Sequence, residues 1–219
     1  MSIVAGLHFA MGTCAVVTGF TALLVKKGSG LHKLAGKVYV LSMLLLCLSG
    51  FYLSYVRELQ FTFLLSAFAL YLVITGVLAA RQSQRTTNTR AKLELAFSGL
   101  LCTACFTLSV LGITLNWSYP DREPPYEAYA FIGLCVGLFM LGDIKQLRHG
   151  NLTHTLRIKR HLTRIGSSML IATIVFFLGN NNVLPDSLRT ESILLTPIIA
   201  VFVITMTYRV VYPFMQRRK

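Results

Sequence analysis

The chain has 219 residues, of which 54% are hydrophobic and only 13% charged, with a net charge of +13. So low a share of charge excludes an ordinary soluble domain and makes lipid the solvent. The basic residues sit in short clusters between apolar runs. This excludes the nucleic-acid partner that +13 would otherwise imply, and matches loops facing an anionic cytoplasmic leaflet.

A helix needs about 20 apolar residues to cross a ~30 Å hydrocarbon layer. The first such run, Ile3 to Val25, has no basic segment ahead of it and is too long for a signal peptide's core, so it reads as a retained helix. The following runs are Val38 to Val56, Phe61 to Ala80, Leu93 to Asn116, Tyr126 to Ile144, Leu162 to Gly179 and Ile193 to Pro213. The expectation is an all-α polytopic membrane protein, one domain over residues 1–219, with seven transmembrane helices. Pro197 is expected in the first turn of the last helix, where it is tolerated.

Charge gives the bundle a direction. The connections 1–2, 3–4 and 5–6, together with the C-terminal end, carry 18 of the 21 basic residues. The opposite side holds Arg57, Arg122 and Arg189, with six of the eight acids. Cytoplasmic loops retain Lys and Arg, so the expected topology is N-out and C-in, in the inner (plasma) membrane. On the outer side Trp117, Tyr119, Tyr126 and Tyr129 read as an interfacial aromatic belt. One internal echo links His32-Lys-Leu-Ala-Gly36, entering helix 2, with His161-Leu-Thr-Arg-Ile-Gly166, entering helix 6. A parallel repeat and a chance likeness of two basic loops both account for it.

The histidines are His8, His32, His149, His154 and His161. His8 lies about two turns into helix 1 from the outer face, and the other four lie at the cytoplasmic ends or loops. From residue 8 to 25 a straight helix spans roughly 25 Å, so His8 shares no metal with His32 or His161. A haem held by paired histidines therefore has one place only, on the cytoplasmic side, with His32 and His161 as candidate ligands. The alternative for His32 is a snorkelling interfacial residue. An ionisable residue inside a span is costly and turns toward the bundle interior. His8 is thus a candidate for proton or substrate binding, or a neutral imidazole bonded to a helix neighbour.

Two acids and several arginines share the cytoplasmic level. Asp143, near the end of helix 5, requires a cation, and Arg160 or Arg164 is the expected partner. Glu94 opens helix 4, and Arg209 approaches from helix 7. These form either a structural ion pair or a polar vestibule that includes His32 and His161. The five cysteines lie in apolar runs and are expected to be free thiols. Cys102-Thr-Ala-Cys105 falls mid-span with no second pair, which favours packing over zinc. Gly133-Leu-Cys-Val-Gly137 lets helix 5 approach a neighbour closely.

Three segments together carry a resemblance. They are Leu7-His8-Phe9 with Gly12 and Gly19, then Lys27-Gly28 with His32, Gly36 and Tyr39-Val40-Leu41, then Arg160-His161 with Arg164 and Gly166. The chain resembles the bacterial predicted-membrane-protein family known as DUF2306. The resemblance implies a helical membrane bundle, supplies no reaction, and marks His8, His32 and His161 as positions to watch. A broader likeness to cytochrome b561-type bundles rests on histidines in helices alone. Three functions follow. One is a redox protein with one b-type haem exchanging electrons with a quinone or small reductant. The second is a transporter of a small solute or ion, with His8 as its protonatable group. The third is a non-catalytic membrane subunit or sensor. Oligomeric state is not legible in the sequence.

Overall fold

The structure, a computed structural model, describes residues 3–81, 88–117, 124–150, 152–179 and 189–217, without the side chains of 88, 149 and 213–217. Among the described residues, seven helices are long and apolar enough to cross a membrane: α1 (Ile3–Leu24), α2 (Gly30–Val56), α3 (Gln60–Arg81), α4 (Asn88–Thr114), α5 (Glu127–His149), α6 (His154–Ile174) and α7 (Glu191–Arg217). A π-helical segment, Val175–Gly179, continues α6. Among the described residues there is no strand.

Several helices begin well before the apolar run that announces them. α2 starts at Gly30, eight residues ahead of Val38, and α6 starts at His154, eight ahead of Leu162. Hydropathy detects the lipid-immersed stretch, whereas the helix begins where its amides find a cap. Ser29 accepts from the His32 amide at 3.2 Å, and Thr153 accepts from the Leu156 amide at 3.4 Å. α7 likewise starts at Glu191, which places Pro197 beyond the first turn and corrects the expected position.

α3 and α6 form the centre. α3 contributes to two cores: one with α4 and α5, built on Tyr71, Cys105, Tyr129 and Val136, and one with α1, α2, α6 and α7, built on Tyr39, Met43, Met169 and Val201. Their outer faces carry exposed Leu41, Leu100, Phe131, Leu138 and Ile199, the arrangement lipid requires. Several threonine hydroxyls within the spans return to their own helix: Thr18 to Cys14 O, Thr75 to Tyr71 O and Thr173 to Met169 O. This removes a polar group from lipid at no cost in partners.

Small residues set the closest contacts. A Cβ on Gly133 would lie 3.1 Å from Phe106 and 3.2 Å from Cys105, so the glycine pattern on α5 serves α4–α5 packing. Cys102 donates to Gly133 O at 3.3 Å, and all five cysteines are free. The expected aromatic belt is not formed by Tyr126 and Tyr129. Trp117 is exposed, but Tyr126 and Tyr129 are buried, with Tyr126 filling the space that Gly112 leaves on α4. Tyr119 lies outside the described residues. The echo between hairpins is not matched in packing: α1 lies along α2, whereas α5 lies along α4 and reaches α6 through long side chains.

Candidate functional site

Three polar constellations occupy the interior. The first joins α3, α4, α5 and α6 near the ends that carry the basic connections. Asp143 is 1% exposed and Arg164 2%. Asp143 pairs with both Arg160 and Arg164, and it accepts from Tyr71 and, at 3.1 Å, from Ser98. Arg160 continues to Glu94 at 2.9 Å, and Glu94 to Arg90 at 3.0 Å. Arg164 also donates to Thr75, and its guanidinium lies 4.8 Å from the Tyr71 ring centre. The expected pairing of Asp143 with Arg160 or Arg164 is thus met by both. Two carboxylates face two deeply set guanidiniums, so the charge is compensated and the remaining lone pairs are filled. That is what a structural pin between α4–α5 and α3–α6 requires. Arg209 is exposed and takes no part.

The second constellation lies beside the first, between α1, α2, α3 and α6. His32 Nδ1 is 2.9 Å from Ala22 O, and Lys27 Nζ donates to the same carbonyl at 2.9 Å and to Leu23 O. Together they satisfy carbonyls that the last turn of α1 leaves open. Lys27 also sits 4.4 Å above the Tyr208 ring, and burial lowers it to about 8. His161 Nδ1 reaches Gly76 O at 3.0 Å, with Lys27 and His32 as ionisable neighbours. Each of the two histidines has spent one ring nitrogen on a backbone carbonyl. Among the described residues, no group of three His, Cys, Asp or Glu could hold a metal ion. His154 opens α6 and is exposed; His149 has no described side chain.

The third constellation is a cavity of about 90 Å³ toward the other end of α1. Its walls come from α1, α2, α3, α6 and the π-helical segment. Leu46, Leu65, Ile171 and Val175 make it apolar, and His8, Thr62 and Ser66 supply polar groups. His8 Nδ1 is 2.9 Å from Ser49 Oγ, which fixes the ring against α2. Gly50 lets Ser66 of α3 come close beside this ring: a Cβ there would meet Ser66 Oγ at 2.6 Å, and would make only ordinary contact with His8 Cε1 at 3.6 Å. Phe9 and Phe176 stack at 5.7 Å beside it. The π-helical turn carries Val175 and Phe176 into the wall, and such turns recur where a helix is reshaped around a site.

Sequence reasoning isolated His8 and the pairing of Asp143 with Arg160 or Arg164, and missed the hydroxyls around them. Tyr71 with Thr75, and Thr62 with Ser66, are polar pairs four apart on the otherwise apolar α3. That spacing is the signal that places them on shared faces.

No curated protein and no solved structure matches the chain. A family model described as "Predicted membrane protein (DUF2306)" matches residues 5–144, which include the His8 and His32 segments and end before α6. With well over half of its length so matched and seven membrane-spanning helices behind the match, the chain belongs to the DUF2306 family of predicted membrane proteins.

Proposed function

We propose that this protein is a membrane-embedded binder of a small solute, with the cavity beneath His8 as its site, in the manner of a carrier or sensor. One observation carries this reading: a histidine within a span lines a cavity rather than packing against a wall. The default binding site is a cavity with apolar walls and a few convergent polar groups. The ion-pair pin already has its charges matched, and His32 and Lys27 already serve the end of α1. Of the three half-buried histidines with a described side chain in these constellations, His8 is the one that lines the cavity.

The test uses Gly12. A Cβ there would lie 3.6 Å from Leu46 and 3.9 Å from Phe176, so a larger side chain projects into the cavity without a clash at its root. Protein purified from its membrane is extracted and the extract analysed by mass spectrometry. A molecule enriched with wild type and lost in Gly12→Leu and His8→Ala supports the reading; identical extracts from all three overturn it.

One observation favours a second reading, a haem carried by His32 and His161. Both imidazoles hold a carbonyl through Nδ1, the outer bond that orients histidines bound to metals, which leaves Nε2 on each. Haem iron would supply one-electron chemistry toward a quinone or small reductant. A Soret band in the purified protein that His161→Ala removes supports this reading, and a sample without haem ends it.

A further inference from the structure

We infer that the cavity selects an uncharged molecule with a hydroxyl group, which donates its hydrogen bond to Nε2 of His8. The inference rests on the cavity being the binding site and adds the chemistry of what enters it.

The first step is a count of protons. Ser49 Oγ is 2.8 Å from Leu45 O and 3.0 Å from Leu46 O. A serine hydroxyl has one hydrogen, and the backbone of α2 takes it. Ser49 Oγ therefore faces His8 as an acceptor, and Nδ1 carries the ring hydrogen. In a neutral imidazole the other nitrogen is then a bare acceptor. The ring is fixed in a tautomer that asks its ligand for a donor.

The second step is charge. No Asp, Glu, Lys or Arg lines the cavity. Among the described residues the buried carboxylates and guanidiniums are Glu94, Asp143 and Arg164, all in the network at the other end of the bundle. Placing an ion in an apolar cavity without a counter-ion costs several kcal/mol even after relaxation; the charge of exposed Arg57, which reaches His8, opposes an ammonium, and no lining group pairs a carboxylate. No carboxylate is present to hold an imidazolium either, which keeps Nε2 an acceptor.

The third step is size and polarity. A cavity of about 90 Å³ compares with roughly 150 Å³ for one that takes benzene, which leaves room for about four heavy atoms. Ser66 stands against His8 across Gly50 and offers a hydroxyl of its own. An alcohol satisfies both: its O–H donates to Nε2 and its oxygen accepts from Ser66. A ketone of the same shape meets Ser66 but leaves Nε2 unpaired. Losing one such bond in a buried site lowers affinity about tenfold.

The hydroxyl has two sources, a free small alcohol and the head of a lipid-soluble alcohol whose tail stays in the bilayer. The experiment separates them. Histidine-labelled protein in phosphatidylcholine nanodiscs is followed by ¹⁵N NMR, with His8→Gln assigning the resonance. Isopropanol, acetone, and dodecanol dissolved in the bilayer are the probes. The expected result is a shift of the His8 Nε2 resonance with isopropanol at about a tenth of the concentration acetone needs. Gly12→Leu should abolish it. A shift with dodecanol alone also supports the proposal and assigns the hydroxyl to a lipid. Acetone acting as well as isopropanol overturns the donor requirement, as does a retained native molecule without a hydroxyl; both leave the cavity reading standing. No response to either alcohol, together with identical extracts from wild type and Gly12→Leu, overturns both.

Discussion

Asp143 illustrates how one residue's burial dictates its neighbours. A carboxylate 1% exposed is tolerable only if its charge is matched and its lone pairs are filled, and Arg160, Arg164, Tyr71 and Ser98 do both. Removing one partner strands the others. Asp143→Ala leaves Arg164 buried without its anion, a loss of about 3–5 kcal/mol. Arg164→Met alone should cost a similar amount, because Asp143 then keeps only the partly exposed Arg160. The double variant should cost clearly less than the sum, since neither charge remains to be stranded. Thermal unfolding of the four proteins in one detergent checks this; additive losses would show that the two residues do not act as a pair. The acid and its cations were legible from sequence because a charge in a span demands a counter-charge. Tyr71, Thr75 and Ser98 were not, because hydroxyls occur in any helix and most bond within their own turn.

At the scale of the helix, sequence located the spans but not their ends. The run from Val38 shows where lipid begins to surround α2. The eight residues before it, with Lys33 and Lys37, are helical because Ser29 caps the first turn. Contacts between helices were legible only where glycine marked them. The meeting of α6 and α7 was not legible, since Gly166 reads only as part of the motif that starts at His161. A Cβ on Gly166 would run into Cγ2 of Thr205, with Oγ1 at 2.8 Å and Cβ at 3.1 Å. Gly166→Ala should therefore push α7 away and destabilise the protein by about 1–3 kcal/mol, although alanine favours the helix itself. Thr205→Ala removes the two nearest atoms and should recover most of the loss. The readout is the unfolding temperature of Gly166→Ala with and without Thr205→Ala. No recovery would mean that the strain lies elsewhere on α6. The packing of α5 on α4 rather than on α6 was not legible, because short connections suit either neighbour and only side-chain shape decides.

At the scale of the molecule, the helices and the charge census point to one orientation. Lys27, Gly76, Glu94, Asp143 and Arg160 all lie near the connections rich in Lys and Arg, and they meet at one end of the bundle. His8 and its cavity lie toward the other. The positive-inside rule predicts that the first end faces the cytoplasm, with the ion-pair pin inside and the cavity in the outer half of the bilayer. The connections α1–α2 and α5–α6 should then be closed to a membrane-impermeant thiol reagent in intact cells, and the segment before α1 open to it. All five native cysteines lie within helices, so single new cysteines report cleanly once those five are replaced. Ser29→Cys would disturb the α2 cap, so Gly28→Cys is no better at a positive φ of 80°; Lys26→Cys and Ser2→Cys are the useful pair. Ser2→Cys should label in intact cells and Lys26→Cys only after permeabilisation. The reverse pattern would place the cavity in the cytoplasmic half and the pin outside. It would also mean that a charge imbalance of 18 to three had failed to orient the chain.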